Sequence, residues 1–567
     1  MFQPHGFLNF VGRSDWPEGR TARPYEFVHA LHRQVIYEQI PDAQRRRLHR
    51  AVGEALESVL GEHAADVAAE LSIHFERSGD QQRAVAYLGL CAVRAQQRGA
   101  QREAVAYIGH ALGLLEETPE SLERRQRELD LRLLLNISLN VTCGYASTEV
   151  SDNCERAQAL CEAVGDVRQL FEVVHASWYV QGCRNRADSA WRTVAELERI
   201  AERLNTDGFR RRAELARGRT DFFFGNFGAA VRILGQVLER ATREPVEGLI
   251  TMYGVDPIVA ACTHSGVALW FLGFPDQART RMRDALSRAR QTGVPYDLAS
   301  AFFFSALLEL FCGNPAGAGA WATRAADICT DKGIAFLAPV SRFVCGAVLA
   351  EQGDVGRGLV EMQQALAEQQ AVTGSFFCGT ILAFIAAAHG RAGQWEEGLR
   401  RADEGLQLTE TALERIYAAE LWRIKGELHI GERRELQPRR RRLGNTGDAL
   451  ARQCFGRAVE IAREQGAQSL VLRSVMNLVR LSTGTNEDLD AYTLLHSIYA
   501  TFTEGFDTED LREAKGLLEE IRSDRESPAP SAQVCPQPRN QRRKPYDAQD
   551  EVQSLGVLDS HAHEWPE

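Results

Sequence analysis

Gly266-Val267-Ala268-Leu269-Trp270-Phe271-Leu272-Gly273-Phe274-Pro275-Asp276-Gln277-Ala278 decides the fold, because its pattern returns three more times downstream. Glycines stand at Gly273, Gly313, Gly353 and Gly393, each 40 residues after the last. Seven positions before each is a small residue: Gly266, Ala306, Gly346, Ala386. Five positions after come Ala278, Ala318, Gly358 and Gly398, and twelve after come Ala285, Ala325, Ala365 and Gly405. Two helices joined by a tight turn approach closely only where their facing side chains are small. A fixed period of this length marks a stacked supersecondary unit, which a single globular core has no reason to produce.

The offsets are those of a tetratricopeptide repeat, in a unit longer than the usual ~34 residues. The expected fold is therefore all-α, a right-handed superhelical solenoid of helix hairpins running from 64 to 521. Working outward, Gly79 with Ser72, Ala84 and Cys91 fits the register, and so does Gly99 with Ala92, Ala104 and Ala111. The two matches are only 20 residues apart, so one helix must serve both units. Gly182 and Gly225 are aligned as further turns, and after Gly426 an insertion delays the register until Ala451 and Ala458. Residues 25–63 carry two apolar helical faces, Phe27, Leu31, Val35 and Ile36, then Leu48, Val52, Leu56 and Val59. Residues 1–24, interrupted by Pro17, Gly19 and Pro24, read as an irregular lead-in. From 522 to 567 the prolines among polar residues read as a disordered tail.

The chain of 567 residues carries 66 basic and 77 acidic side chains, a formal charge of −11, which argues against a nucleic-acid partner for the whole molecule. No long uncharged apolar run and no signal peptide is evident, so no membrane partner and a cytoplasmic location are expected. Twelve cysteines lie scattered without a CxxC pair, and Cys154 and Cys161 share at most a helix face. His29 with His32, and His561 with His563, lack further ligands at metal spacing, so no metal is expected.

Tyr25-Glu26-Phe27-Val28-His29-Ala30-Leu31, Val35-Ile36-Tyr37, Arg47-Leu48-His49 and Gly53-Glu54 are similar to the segment between the nucleotide-binding domain and the repeat array of large bacterial signal-transducing ATPases of the AAA/STAND type. Met252 to Pro257 with Ala268 to Ala278 resembles the middle of that array, and Tyr499 to Leu511 its closing motif. The resemblance covers 25 to 521 and implies a sensing arm whose occupancy controls a linked ATPase, nucleotide cyclase or winged-helix domain. No G-x-x-x-x-G-K-[ST] occurs here; Gly313-Asn314-Pro315-Ala316-Gly317-Ala318-Gly319 has the glycines but not the lysine that reaches the outer phosphates. No catalytic residue and no cofactor is therefore assigned. The expected function is a non-catalytic scaffold for a protein or peptide partner, such as a separately encoded ATPase or output domain, or for a small molecule. The alternative is a fragment of a multidomain ATPase or cyclase whose catalytic domains are encoded upstream.

The repeat register places Arg219, Phe222, Phe223, Trp270, Phe271, Phe303, Leu307, Phe311, Phe343, Glu351 and Arg391 on the concave face. Such an aromatic stripe is either a groove for an apolar ligand or ordinary packing in a tightly wound superhelix. Arg439, Arg440, Arg441 and Arg442 form the one concentrated basic patch, in the insertion, with acidic neighbours and no aromatic residue for base stacking. A solvated loop is the preferred reading of it over a phosphate site.

Overall fold

The computed structural model describes residues 8–10, 14–16, 20–22, 25–144, 147–164, 166–243, 255–436, 446–482 and 488–526. One unit is Met1–Glu520; of the second, Ile521–Glu567, only the end of the last helix is described. The stretch read as an irregular lead-in contains strands. β1 (Leu8–Phe10) pairs antiparallel with β4 (Tyr25–Phe27), and β2 (Ser14–Trp16) pairs with β3 (Arg20–Ala22) inside them. Helices α1 (Ala30–Gln39), α2 (Asp42–Leu60) and α3 (Ala68–Ser78) follow.

The hairpins then run in order: α4 (Gln81–Gln97) with α5 (Gln101–Glu116), α6 (Leu122–Thr142) with α7 (Thr148–Val164), and α8 (Val167–Cys183) with α9 (Ala187–Leu204). Next come α10 (Asp207–Phe224) with α11 (Phe227–Arg243), α12 (Pro257–Phe271) with α13 (Pro275–Thr292), and α14 (Pro295–Phe311) with α15 (Pro315–Lys332). The series continues with α16 (Ala338–Glu351) and α17 (Val355–Thr373), α18 (Cys378–Arg391) and α19 (Trp395–Thr411), and α20 (Ala418–Leu436) and α21 (Thr446–Glu464). It closes with α22 (Gln468–Ser482), α23 (Asp488–Tyr499) and α24 (Glu509–Glu526). Each even-numbered helix from α4 to α20 packs on the next even-numbered one, so α4 to α22 form the inner row of a helical-repeat solenoid. Helix α4 packs on both α3 and α5, which is the shared helix that the overlapping glycine registers require.

The turns form as they do for identifiable reasons. Gly273, Gly313, Gly353 and Gly393 all have positive φ, between 72° and 98°. In the first, the Phe274 N–H donates to the Leu269 carbonyl at 2.9 Å, and Asn314, Asp354 and Gln394 repeat that bond. This is a Schellman closure, which only a left-handed residue permits without strain. Proline opens α13, α14 and α15, where its missing N–H costs no helical bond. The small crossings are backbone contacts: a Cβ on Gly346 would lie 2.9 Å from the Gly358 carbonyl oxygen, and one on Gly358 2.6 Å from that of Gly346. One register slips. Gly182 lies inside α8, and the left-handed turn residue is Asn185 at φ 59°, a position asparagine tolerates.

The superhelix winds tightly enough to touch itself. Ser469 Oγ donates to the Trp270 carbonyl at 2.6 Å across 199 residues, and the Glu414 N–H to Asn185 Oδ1 at 2.8 Å across 229. Glu504 accepts from the Asp276 and Gln277 N–H groups at the start of α13. With units of 40 residues, the coil closes after about five hairpins, and its axis is filled by side chains from two successive turns.

Candidate functional site: two compartments on one axis

A wall of rings divides the interior. Trp270, Phe271, Phe311 and Phe343 are at most 2 % exposed, as are Phe222 and Leu307. Phe271 stacks on Phe227 with centroids 4.2 Å apart and planes at 7°, Trp270 lies 4.8 Å from Phe311, and Phe311 lies 5.3 Å from Tyr417. These members of the aromatic stripe pack between the compartments. Arg219, Phe223 and Phe303 line the first compartment, and Glu351 with Arg391 the second.

The first compartment is an aromatic chamber of about 70 Å³. Inner helices α8, α10, α12 and α14 supply Trp178, Phe223, His264 and Phe303; the segment before α18 adds Phe376 and Phe377, and the segment after α19 adds Leu413. Phe223 packs edge-on against Phe376 at 4.8 Å, and Phe303 against Phe377 at 5.7 Å. Phe377 has φ 66°, a left-handed conformation costly for a bulky side chain. Glu414 holds it there. This buried carboxylate accepts from Thr380 Oγ1 at 2.6 Å and from backbone N–H groups of Phe377, Gly379 and Thr380 at the head of α18. Burial pushes its pKa up to about 7 against those bonds. Arg219 stands at the rim, donating to Tyr179 Oη at 2.7 Å with its guanidinium 5.2 Å from the Trp178 ring.

The second compartment is a charged channel of about 480 Å³ between α14, α16, α18, α20, α22 and α24. Its floor is a buried ion network. Arg473 donates through Nε to Asp510 Oδ2 at 2.8 Å, through Nη2 to the Phe311 carbonyl at 2.7 Å and through Nη1 to Glu420 Oε1 at 3.2 Å. It also lies 5.0 Å from the Trp270 ring. Burial opposes its charge, but Asp510 and Glu420 hold its pKa well above the ordinary arginine range. Arg423 shares Glu420 at 2.9 Å. Nearer solvent, Arg391 pairs with Glu351 at 2.5 Å and Arg480 with Glu513.

Residues Arg439 to Arg442, like His561 and His563, lie outside the described residues. His29 caps α1 by accepting the Leu31 N–H. Among the described residues no cluster of three or more His, Cys, Asp or Glu suits a metal, and no helix is long and apolar enough to cross a membrane. Cys154 donates to Asn136 Oδ1 at 3.2 Å and is not bonded to Cys161. The register missed Phe376, Phe377, Leu413, Glu414, Arg473 and Asp510. The signal that finds them is the positive-φ, non-glycine turn and the second coil of the superhelix, neither of which has a 40-residue period.

The architecture is thus a tetratricopeptide-like helical-repeat scaffold. No family model matches the chain. An uncharacterized protein of Rhizobium meliloti (strain 1021) is 24 % identical over 485 residues, covering 80 % of this chain and 43 % of that protein. The chain therefore spans less than half the length of the curated relative it matches. Among solved structures, a Rap protein complexed with competence and sporulation factor aligns over 70 % of this chain and 98 % of its own, at 13 % identity and TM-score 0.43. A STAND ATPase with a tetratricopeptide repeat sensor from Pyrococcus horikoshii aligns over 86 % and 74 %, at 12 % identity and TM-score 0.35. The repeat assignment rests on the hairpins themselves.

Proposed function

We propose that this chain is a protein-binding scaffold acting as the sensing arm of a bacterial signalling ATPase, in the cytoplasm, and that it is not itself an enzyme. The observation that carries the reading is the apolar surface of α1 and α2. Leu31, Val35, Ile36, Leu48 and Val52 are all exposed, on the segment that resembles the end of an ATPase module. Clustered exposed aliphatics of this kind mark a surface that another protein covers. The repeat array supplies the rest of an arm: an inner groove with one apolar and one charged compartment for a protein, peptide or small-molecule signal. A second reading, a fragment of a longer ATPase or cyclase, is favoured by the matched relative, of which the alignment covers only 43 %. An in-frame coding stretch upstream with a phosphate-binding loop would support it.

The test is ATP turnover by the purified chain, alone and after capture of partners from native extract. Turnover is expected only in the captured complex, and Leu31→Ser with Val35→Ser should abolish that recovery while leaving helicity unchanged. Turnover by the chain alone overturns the non-catalytic reading; capture of no ATPase overturns the arm.

A further inference from the structure

We propose that the aromatic chamber is a binding site for a small uncharged molecule of about one ring that presents N–H or O–H donors. The inference concerns the apolar compartment only and does not depend on which protein covers α1 and α2.

Size sets the first limit. The chamber's 70 Å³ corresponds to roughly five water positions, or ~150 Å³ of liquid, which is the room a benzene-sized ring needs. A helix or a peptide backbone does not fit. Its walls are mostly rings, so most of those water positions would lack the two to four polar partners that hold an ordered water.

Two residues of its lining, His264 and Gln369, each carry a buried acceptor, and these set the chemistry. His264 is 3 % exposed, and its Nδ1 lies 2.8 Å from the Ala260 carbonyl oxygen. A carbonyl only accepts, so Nδ1 carries the proton, and Nε2 is left as an acceptor with no hydrogen-bond partner. Burial and Arg219 push its pKa well below the usual histidine value, so the ring is neutral. Gln369 is fully buried; its Nε2 donates to the Phe376 carbonyl at 3.0 Å and to Thr373 Oγ1 at 3.2 Å. The carbonyl fixes that orientation, since a reversed amide would set two acceptors against each other. Gln369 Oε1 is then the second acceptor without a partner. Orphaned buried acceptors cost stability unless something donates to them. Arg219, over the Trp178 and Tyr179 rings, already places a positive charge on the lining, which disfavours a cationic ligand. The strained Phe377, held by Glu414, completes the wall, as expected where a binding site over-determines its backbone.

The experiment is isothermal titration of the full chain with resorcinol, which carries two O–H donors, and with toluene, which carries none. Saturable one-to-one binding of resorcinol at least tenfold tighter than toluene is expected. His264→Phe should weaken resorcinol about tenfold and leave toluene unchanged; Ser300→Leu, from the lining, should fill the chamber and abolish both. Helicity and unfolding midpoint qualify each variant, with Val340→Phe as the filling variant from the adjacent helix should Ser300→Leu not fold. No saturable binding, toluene as tight as resorcinol, or resorcinol binding untouched by the filling variants each overturns the proposal. A chain that captures an ATPase yet binds no resorcinol loses this inference alone.

Discussion

Along a single helix, α14, the wall of one compartment gives way to the wall of the other. Phe303 and Phe304 line the aromatic chamber, and Leu310, with Gly313 just beyond the helix, lines the charged channel. Both compartments use the same repeat and the same inner row. What separates their chemistry is the turn of superhelix that reaches them from elsewhere in the sequence. The chamber receives Phe376, Phe377 and Leu413; the channel receives Arg473 and Asp510. In a solenoid wound this tightly, the repeat builds the groove, and the contacts across about five hairpins decide what each part of it can hold.

The ring wall between them is the most sensitive point. Trp270→Ala removes a fully packed indole and the aromatic neighbour of Arg473 together, and should cost about 5 kcal/mol, the upper end for such a truncation. Phe303→Ala, which borders existing space, should cost nearer 3 kcal/mol in the same denaturant titration. Equal costs would mean the wall and the chamber are one continuous core. Between these two falls Arg473→Met, which strands Asp510 in the channel floor and leaves Glu420 to Arg423 alone, and should destabilise by about 3–4 kcal/mol. Hydrogen exchange should then rise in α20, α22 and α24 before it rises around the chamber.

How far the sequence reveals this arrangement follows from what is periodic. The turn glycines, the Gly346 and Gly358 crossing and the shared helix α4 are all readable because local packing enforces them once per unit. The aromatic stripe is readable as a stripe, but its split is not, since Phe311 and Phe303 occupy similar environments until Tyr417 or Phe377 arrives from the next coil. Asn185 in place of a turn glycine shifted one register, because left-handed asparagine leaves no mark in a glycine pattern. Glu414 shows how complete the difference can be: a single acidic residue outside the repeat register grips the strained edge of the chamber.

That grip gives the chamber a pH dependence. The unfolded Glu414 carboxyl ionises near 4.5, whereas burial in the native fold holds its pKa up to about 7. Between those values the native state binds the extra proton, so this group's stabilising contribution is complete below pH 4.5 and is lost as pH rises through 7. The full swing is up to about 3 kcal/mol. Asp297, also raised to about 7 by burial, adds a slope of the same sign. The stability of wild type relative to Glu414→Gln, scanned from pH 5 to 8, should therefore fall by up to about 3 kcal/mol as pH rises. A difference independent of pH would mean the carboxyl is ionised throughout.

The smallest effect on stability should come from the channel's rim, and there the informative quantity is binding. Arg391 and Glu351 pair at 2.5 Å across adjacent inner helices while remaining 41 % and 30 % exposed. An ion pair this open to solvent contributes at most about 1 kcal/mol, so Arg391→Ala should shift the unfolding midpoint little. If the channel takes a charged segment of a protein partner, the same change should weaken partner capture and flatten its dependence on salt, because one end of the rim's charge pattern is gone. Capture that is unchanged across a salt series would assign the protein contact to the apolar face of α1 and α2 alone. The channel's buried network would then serve only to lock one coil of the superhelix against the next.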